Sequence, residues 1–236
     1  MKKNTYSLEC IVLGLMAGFG LIGCNNETGS AAATGNETAK LVCFGNSLTA
    51  GFGATVPGEE DKTNSYPAYL QNKVTIPVIN AGVSGDTTVT ALNRIVRDVL
   101  SENPQVVIIE LGANDLFQFV SLQTTRKNLQ SMIDSLAKGT RKIYIAKFYT
   151  DAVAQDMMNR ADIPLVLQTG IIAYYDEMFR SLASSPHVEL IEDIWSGVWG
   201  QYMSDDIHPD ARGYEIMADN YFKVIKPYLQ EHNFLK

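Results

Sequence analysis

Ser47 stands where a serine side chain can serve as a nucleophile. It follows the short apolar run Leu41–Phe44, which breaks at Gly45, and the chain then turns away through further glycines. A buried strand that ends abruptly presents the next side chains at the edge of a parallel sheet, where ligands bind. The spacing around Ser47 is not G-x-S-x-G, so the α/β-hydrolase turn is not matched. On its own, the stretch fits an ordinary strand and turn equally well.

A serine hydroxyl attacks poorly at neutral pH unless a base removes its proton. The chain contains three histidines. His232 lies in a polar tail, and His187 precedes a predicted strand, which places it at the amino end of the sheet. Only His208 has a carboxylate three residues before it. That residue, Asp205, can accept a hydrogen bond from one ring nitrogen while the other nitrogen faces Ser47.

Short apolar runs alternate with amphipathic stretches beyond Lys40, a pattern that predicts parallel strands joined by crossover helices. The predicted strands are Leu41–Phe44, Pro77–Asn80, Val106–Leu111, Lys142–Phe148 and Val188–Ile191, and the predicted helices are Ser65–Lys73, Thr88–Leu100, Ser121–Lys138, Pro164–Ala183 and Pro209–Gln230. Near-continuous apolar strands are typical of sheets covered on both faces. We therefore predict an α/β fold, a three-layer α/β/α sandwich with a mostly parallel five-stranded sheet.

Four segments with polar residues fall just beyond the carboxyl ends of the predicted strands. They are Gly45-Asn-Ser-Leu48, Gly82-Val-Ser-Gly-Asp86, Gly112-Ala-Asn-Asp115 and Asp205-Asp-Ile-His-Pro209. In order and spacing they resemble the four blocks of the SGNH, or GDSL-type, hydrolases, and the resemblance covers residues 40–230. The stretches INAGVSGDTT and ELGAND are most similar to the branch that contains arylesterases, thioesterases and lysophospholipases. The resemblance implies the flavodoxin-like SGNH-hydrolase fold.

The resemblance also implies a role for each matching residue. Ser47 is the nucleophile, His208 the general base and then the general acid, and Asp205 the orienting carboxylate. The oxyanion donors are the backbone N–H groups of Ser47 and Gly85 and the side-chain amide of Asn114. Such donors stabilise the tetrahedral intermediate of acyl transfer. Taken separately, the second block also fits a plain turn and the third a helix cap.

Two further features of these blocks bear on the chemistry. Asp205, Asp206, His208 and Asp210 can also be read as metal ligands, but no further His or Cys accompanies them. We therefore predict neither a metal nor another cofactor. The family's first block usually carries Asp before the serine, and here Asn46 takes its place. The amide keeps a hydrogen-bond acceptor but loses the charge, so we expect the support and pH response of the loop to differ.

The first residues fit a bacterial export signal with a basic start and an apolar middle. Leu21-Ile-Gly-Cys24 resembles the lipobox of bacterial lipoproteins, which implies cleavage before Cys24 and lipid on that cysteine. The alternatives are an ordinary signal peptide or an uncleaved anchor. Residues 24–39 are low in complexity, as in a flexible tether. We predict a signal peptide over 1–23, a tether over 24–39 and a hydrolase domain over 40–236, held at the cell envelope by a lipid anchor.

Composition restricts the class of partner. A formal net charge of −7, with no basic stripe, argues against a nucleic-acid surface. Apolar residues make up 46% of the chain and charged residues 19%, which are values of a globular protein. At this length one domain with a good-sized core is expected. The oligomeric state is not determined by the sequence.

Three functional hypotheses follow. The first is a serine esterase of the arylesterase, acyl thioesterase or lysophospholipase type, which acts on a small-molecule ester or a lipid. Here Leu116 and Phe117 wall an apolar groove, although core packing explains these two residues equally well. Trp199 forms a lid or wall, or simply covers a helix. The second is a carbohydrate O-acetyl esterase that acts on glycans. The third is a non-catalytic surface lipoprotein that binds glycan or lipid.

Overall fold

A computed structural model describes residues 39–160 and 165–236. Cys24, the signal peptide and the tether as far as residue 38 lie outside the described residues, so those assignments stay predictions. Within the described part, no helix is both long and apolar enough to cross a membrane.

The strands form a single parallel sheet in the described part of the chain. They are β1 (Leu41–Gly45), β2 (Val78–Gly82), β3 (Val106–Glu110), β4 (Lys142–Ala146) and β5 (Val188–Ile191). Their order is β2-β1-β3-β4-β5, and every neighbouring pair runs parallel. This is the flavodoxin-like order, so the predicted fold class is confirmed. The sheet proves to be wholly parallel rather than mostly so.

Helices cover the sheet in two groups. They are α1 (Ser47–Ala50), α2 (Tyr66–Gln71), α3 (Thr88–Asp98), α4 (Ala113–Phe117), α5 (Leu122–Leu136), α6 (Asp151–Arg160), α7 (Leu165–Ala183) and α8 (Ala211–Glu231). α2 packs against α8, whereas α5 packs against both α3 and α7. Because crossovers between parallel strands are right-handed, the two groups lie on opposite faces of the sheet. The three-layer arrangement follows.

The strand that leads to Ser47 is buried along its whole length, as is β3 beside it. Both have a hydrogen-bonded neighbour on each side, and their side chains are covered by helices. Cys43 lies in the middle of β1 with 0% of its surface exposed. Burial raises the pKa of its thiol far above the ordinary value, so the thiol stays protonated. Cys43 thus packs as a core residue.

Strand register brings the loops of the candidate site to one level. Gly45 at the end of β1 pairs with Gly82 of β2 on one side and with Glu110 of β3 on the other. The loops after these three strands therefore leave the sheet side by side. The segment with Asp205 and His208 reaches the same edge just before α8.

Candidate active site

Ser47 is the first residue of α1, a single helical turn that begins directly after β1. The turn is capped by Asn46, whose side-chain oxygen accepts a hydrogen bond from the backbone N–H of Leu48 at 3.0 Å. Gly45 allows this tight start, because a Cβ atom there would lie 2.1 Å from the hydroxyl oxygen of Thr49. The cap and the glycine together fix where the Ser47 side chain leaves the backbone.

The side chains of Ser47, His208 and Asp205 form one continuous line of hydrogen bonds. Nε2 of His208 lies 2.9 Å from Oγ of Ser47, and Nδ1 lies 2.8 Å from Oδ2 of Asp205. His208 is 9% exposed, which limits competition from water for its ring nitrogens. With the proton on Nδ1, the ring can donate to Asp205 and accept the proton of Ser47 through Nε2. The structure thus brings the three predicted residues into the required order.

Asp205 is held by its own loop as well as by the imidazole. One carboxylate oxygen accepts from the backbone N–H of Ile207 at 2.9 Å and from that of His208 at 2.7 Å. Partial burial raises the pKa of Asp205, but the hydrogen bonds from Ile207 and His208 together lower it more, so the net shift is downward. The carboxylate therefore stays ionised at neutral pH and can stabilise a protonated imidazole.

The imidazole is also held from its face. The ring of Phe52 lies beside it, with 4.6 Å between ring centroids. The backbone N–H of Ser204 donates to the carbonyl oxygen of His208 at 2.8 Å. An isolated antiparallel β-bridge between Met203 and Pro209 closes the same loop. These contacts restrict His208 before any substrate binds, which is a requirement for efficient proton transfer.

The second and third blocks meet beside Ser47. Asn114 lies in the first turn of α4, and its side-chain amide donates to the carbonyl oxygen of Asp86 at 2.9 Å. Gly85, the preceding residue, has φ of +82°, a left-handed conformation that favours glycine. Asn114 and Ser47 line one cavity together with His208. Asn114 thus shares the cavity of Ser47 and contacts the segment of Gly85 through Asp86. An amide and backbone N–H groups suit an oxyanion.

Arg94 ties these loops to the sheet, although the sequence reasoning missed it. It is 7% exposed, and its guanidinium donates to the carbonyl oxygens of Ala81 at 2.8 Å and Gly45 at 2.9 Å. It also pairs with the carboxylate of Asp86. One side chain therefore joins the ends of β1 and β2 to the loop that contains Gly85. A planar group with five donors suits this role better than lysine does.

Glu110 is a buried carboxyl group beneath the turn that carries Ser47. It is 0% exposed and accepts from the side-chain amide of Asn46 at 3.2 Å and from the hydroxyl of Thr49 at 3.1 Å. Burial raises its pKa to about 8, because the opposing effect of the Thr49 and Asn46 hydrogen bonds is smaller. Burial therefore favours the protonated form of Glu110 near neutral pH. The side-chain amide of Asn46 donates a hydrogen bond to Glu110. An aspartate at position 46 would instead place a second carboxyl group there, which would need its own proton.

The three residues predicted to bind substrate fall in different places. Phe117 lines the cavity of Ser47, and Leu116 lines a second, adjoining cavity. Among the described residues that line the two cavities, Trp199 does not occur. Its indole N–H instead donates to Asp156 of α6 at 3.1 Å, and its ring packs edge-on against Trp195. Trp199 therefore supports α6 from outside.

Sequence reasoning missed other apolar residues that line the Ser47 cavity, among them Phe148, Met157 and Ile207. Phe148 was assigned to the predicted fourth strand, but that strand ends at Ala146. Met157 belongs to α6, a helix that was not predicted. Its signal was present, because Val153, Ala154, Met157 and Met158 recur at helical spacing and all four are buried.

The acidic residues near His208 have other partners. Asp206 pairs with Arg160 at 2.5 Å, and Asp210 caps α8 by accepting from the N–H of Gly213 at 2.8 Å. In the part of the chain that the structure describes, no group of three or more His, Cys, Asp or Glu side chains is arranged to hold a metal ion.

Comparison with known proteins identifies the family. Residues 43–216 match the model of the GDSL-like lipase/acylhydrolase family. A protein named arylesterase, from Vibrio mimicus, is 30% identical, over 80% of this chain and 88% of its own length. A protein named thioesterase 1/protease 1/lysophospholipase L1, from Escherichia coli strain K12, is 25% identical, over 79% of this chain and 83% of its own.

A solved structure gives the same result. The crystal structure of the lipase/acylhydrolase from Enterococcus faecalis superposes with a TM-score of 0.61 at 26% identity, covering 84% of this chain and 97% of that one. The fold and the four sequence blocks therefore indicate the same family. The chain belongs to the GDSL-like lipase/acylhydrolase family of ester-hydrolysing enzymes.

Proposed function

We propose that the protein is a serine esterase that uses Ser47, His208 and Asp205 to transfer an acyl group from an ester or thioester to water. The observation that carries this proposal is the unbroken pair of hydrogen bonds through His208, 2.9 Å to Ser47 and 2.8 Å to Asp205. This is the order of groups that nucleophilic acyl transfer requires.

In the first half of the reaction, Oγ of Ser47 attacks the acyl carbon while Nε2 of His208 takes the hydroxyl proton. The imidazolium that forms is stabilised by the ionised Asp205. The carbonyl oxygen of the acyl group gains negative charge. The backbone N–H groups of Ser47 and Gly85 and the amide of Asn114 stabilise this charge. His208 then gives its proton to the leaving alcohol or thiol as the carbon–oxygen or carbon–sulfur bond breaks.

In the second half, water attacks the acyl group on Ser47 with the same base and the same oxyanion donors. The His208 proton returns to Oγ of Ser47 as the free acid departs, so the enzyme is regenerated. The side chains of Ser47, His208 and Asp205 are already joined by hydrogen bonds for both halves of the reaction. No cofactor takes part in these steps.

The apolar walls around Ser47 favour an arylesterase, acyl thioesterase or lysophospholipase-like activity. Phe117, Phe148, Met157 and Ile207 offer apolar surface to an acyl or aryl group. The names of the Vibrio and Escherichia relatives support the same range of substrates.

A carbohydrate O-acetyl esterase is the second candidate, because the Ser47 cavity is small as it stands. The cavity leaves space for only one or two water molecules. An acetyl group therefore fits with the least rearrangement. A glycan leaving group would then lie outside the cavity.

Hydrolysis of 4-nitrophenyl acetate, butyrate, octanoate and palmitate tests the proposal, with Ser47→Ala as the matched control. We expect turnover that depends on Ser47, with an optimum at butyrate or octanoate. Turnover confined to acetate would favour the glycan O-acetyl esterase. No Ser47-dependent turnover of any ester would overturn the enzymatic assignment and leave a non-catalytic binding lipoprotein.

We also propose that Cys24 carries lipid and anchors the enzyme at the bacterial cell envelope. The support is the lipobox-like stretch that ends at Cys24 and the low-complexity stretch that follows it. Partition between detergent and aqueous phases tests this, with Cys24→Ser beside the unaltered chain. The same partition for both chains would refute lipidation at this position.

A further inference from the structure

The helical turn α1, which carries Ser47, is too short to hold its own position. It contains four residues, and the N–H of Ala50 donates to the carbonyl oxygen of Asn46 at 2.9 Å within it. A helix of one turn is not stable in water without contacts from elsewhere. The position of the Ser47 side chain and of its backbone N–H therefore depends on groups outside the turn.

One carboxyl group contacts both ends of this turn. Oε1 of Glu110 accepts a hydrogen bond from the side-chain amide of Asn46 at 3.2 Å, and Oε2 accepts one from the hydroxyl of Thr49 at 3.1 Å. The carboxyl group also packs against the end of β1, because a Cβ atom at Gly45 would lie 3.0 Å from Oε2. Glu110 thus joins the residues on both sides of Ser47 to β3.

This network can hold a proton on Glu110 without losing a hydrogen bond. A hydroxyl group can either donate or accept. When Oε2 carries the proton, it can donate to the hydroxyl oxygen of Thr49, which then donates to the hydroxyl of Tyr66, 3.2 Å away. The amide of Asn46 donates to Oε1 in either state. The protonated acid therefore keeps both of its contacts with the turn.

The surroundings of Glu110 favour the protonated form. The side chain is 0% exposed, and burial raises its pKa to about 8. The titratable groups packed around it come from β1, α2 and α8, and they are Cys43, Tyr66, Tyr214 and Tyr221. Burial raises the pKa of each of these groups above its usual range, so all of them stay neutral.

The cationic side chains at this edge of the sheet have other partners. The guanidinium of Arg94 pairs with Asp86. The imidazole of His208 lies against Asp205. Among the ion pairs of residues 39–160 and 165–236, none involves Glu110. An ionised Glu110 would therefore be a buried charge without a countercharge, which is strongly unfavourable.

We propose that Glu110 in its protonated form is a positioning residue for Ser47, and that loss of its proton at alkaline pH slows acyl transfer. A negative charge here would oppose the charge that develops on the carbonyl oxygen held by the backbone N–H of Ser47. It would also draw water toward a buried region and so loosen the turn. This inference rests on the proposed function, because acyl transfer is the step that it affects.

The test is the pH dependence of kcat/KM for 4-nitrophenyl butyrate between pH 5 and 9.5, with the rate of Ser47→Ala subtracted at each pH. For the unaltered chain we expect a rise as His208 loses its proton and a fall above about pH 8. One pH unit beyond the midpoint of that fall, the rate should be about a tenth of its maximum, as for a single ionisation. Glu110→Gln keeps the shape of the protonated acid but cannot ionise, so its rate should stay level to pH 9.5.

Two further variants complete the test. Glu102→Gln removes a partly exposed carboxylate that pairs with Lys40, and it should keep the alkaline fall of the unaltered chain. Thr49→Val keeps the proposal testable where Glu110→Gln does not fold. Burial raises the pKa of Glu110, and the Thr49 hydrogen bond lowers it by a smaller amount, so loss of the hydroxyl should move the fall to higher pH.

Three outcomes would overturn the proposal. They are a level rate to pH 9.5 in the unaltered chain, an alkaline fall that persists in Glu110→Gln, and a fall at the unaltered pH in Thr49→Val. A purely structural role of Glu110 would give the second outcome, with the rate of Glu110→Gln lowered equally at every pH. Failure of the proposed function differs from all three, because turnover would then not depend on Ser47 at any pH.

Discussion

The two sides of the Ser47 cavity are built by different forces. Beneath the nucleophile, hydrogen bonds from buried polar groups join the strand ends, with Arg94 and Glu110 at the centre. Beneath α6 and α7, the wall consists of apolar side chains such as Phe148 and Met157 packed against aromatic rings. Hydrogen bonds are directional, and a lost partner is costly, whereas apolar packing has no preferred direction.

This difference separates what must stay constant in an acyl-transfer enzyme from what can change. In the proposed reaction, the distances among Ser47, His208 and Asp205 must hold to within a fraction of an ångström for proton transfer. The wall that faces the acyl chain needs only to exclude water and provide volume. Substitutions on the polar side should therefore reduce rate for all substrates, and substitutions on the apolar side should redistribute rate among them.

The largest effect is expected when the base is removed from the polar side. His208→Ala should lower kcat by about 10⁴-fold or more for every ester, because Ser47 then has no group to take its proton. Initial rates with acetate and octanoate measure this. His187→Asn is the matched control, since His187 has φ of +65° and asparagine tolerates that conformation. A similar loss in the control would point to general damage.

Asn114→Ala should produce the next largest effect. Loss of one oxyanion donor lowers kcat by about 10²- to 10³-fold with little change in KM. Steady-state kinetics with two acyl lengths measure both parameters. Gln118→Ala is the matched control, because its side-chain amide also donates to the neighbouring loop, at the carbonyl oxygen of Gly85, 3.0 Å away. Equal losses in both variants would show that Asn114 only supports the loop.

Glu110→Gln also affects stability. The folded-state pKa of Glu110 is raised from 4.5 to about 8, so the folded state holds a proton that the unfolded chain has lost in this range. The stabilisation is complete below pH 4.5 and is lost as the pH rises through 8. Glutamine resembles the protonated carboxyl group and removes this contribution. The slope of unfolding free energy against pH should become less negative by up to about 1.4 kcal/mol per pH unit.

Urea unfolding at several pH values between 5 and 8 measures that slope for both chains. The charged Glu102, which is partly exposed and paired with Lys40, offers the control Glu102→Gln. Parallel curves for the unaltered chain and Glu110→Gln would mean that Glu110 is ionised at neutral pH, contrary to the expectation.

The smallest effect is expected from a substitution of Trp199, which lies behind α6 and does not line the cavity. Trp199→Phe removes the hydrogen bond to Asp156 but keeps an aromatic ring against Trp195. Because Trp199 supports α6 without lining the cavity, kcat/KM should change by about twofold or less, equally for acetate and octanoate. A selective loss with octanoate would instead mean that Trp199 contacts the acyl chain.

The same division explains what the sequence could and could not predict. Short apolar runs between amphipathic stretches revealed all five strands, because this alternation is typical of a parallel sheet with crossover helices. Ser47, Asp205 and His208 were recognisable as candidates because acyl transfer needs those residue types and because His208 has a carboxylate three residues before it. The contacts of Glu110 with Asn46 and of Arg94 with Gly45 could not be predicted, because they depend on the register of neighbouring strands.

The apolar wall escaped prediction for a different reason. A methionine at helical spacing indicates a buried face but not what lies on its other side. Met157 was therefore indistinguishable from an ordinary core residue until the structure showed it in the lining of the Ser47 cavity. For Trp199 the sequence left two alternatives, a lid or wall and a helix cover, and the residue packs behind α6.

The buried Cys43 allows the opening of the sheet at β1 to be measured with a thiol reagent. Its protonated thiol lies in the middle of β1 with 0% exposure, so a thiol reagent can react only after that strand is exposed. In a chain with Cys10→Ser and Cys24→Ser, Cys43 is the one remaining thiol of the sequence. The rate of its labelling then reports how often β1 opens. Ser47 follows that strand by two residues, so the same labelling rate reports how long Ser47 stays in place.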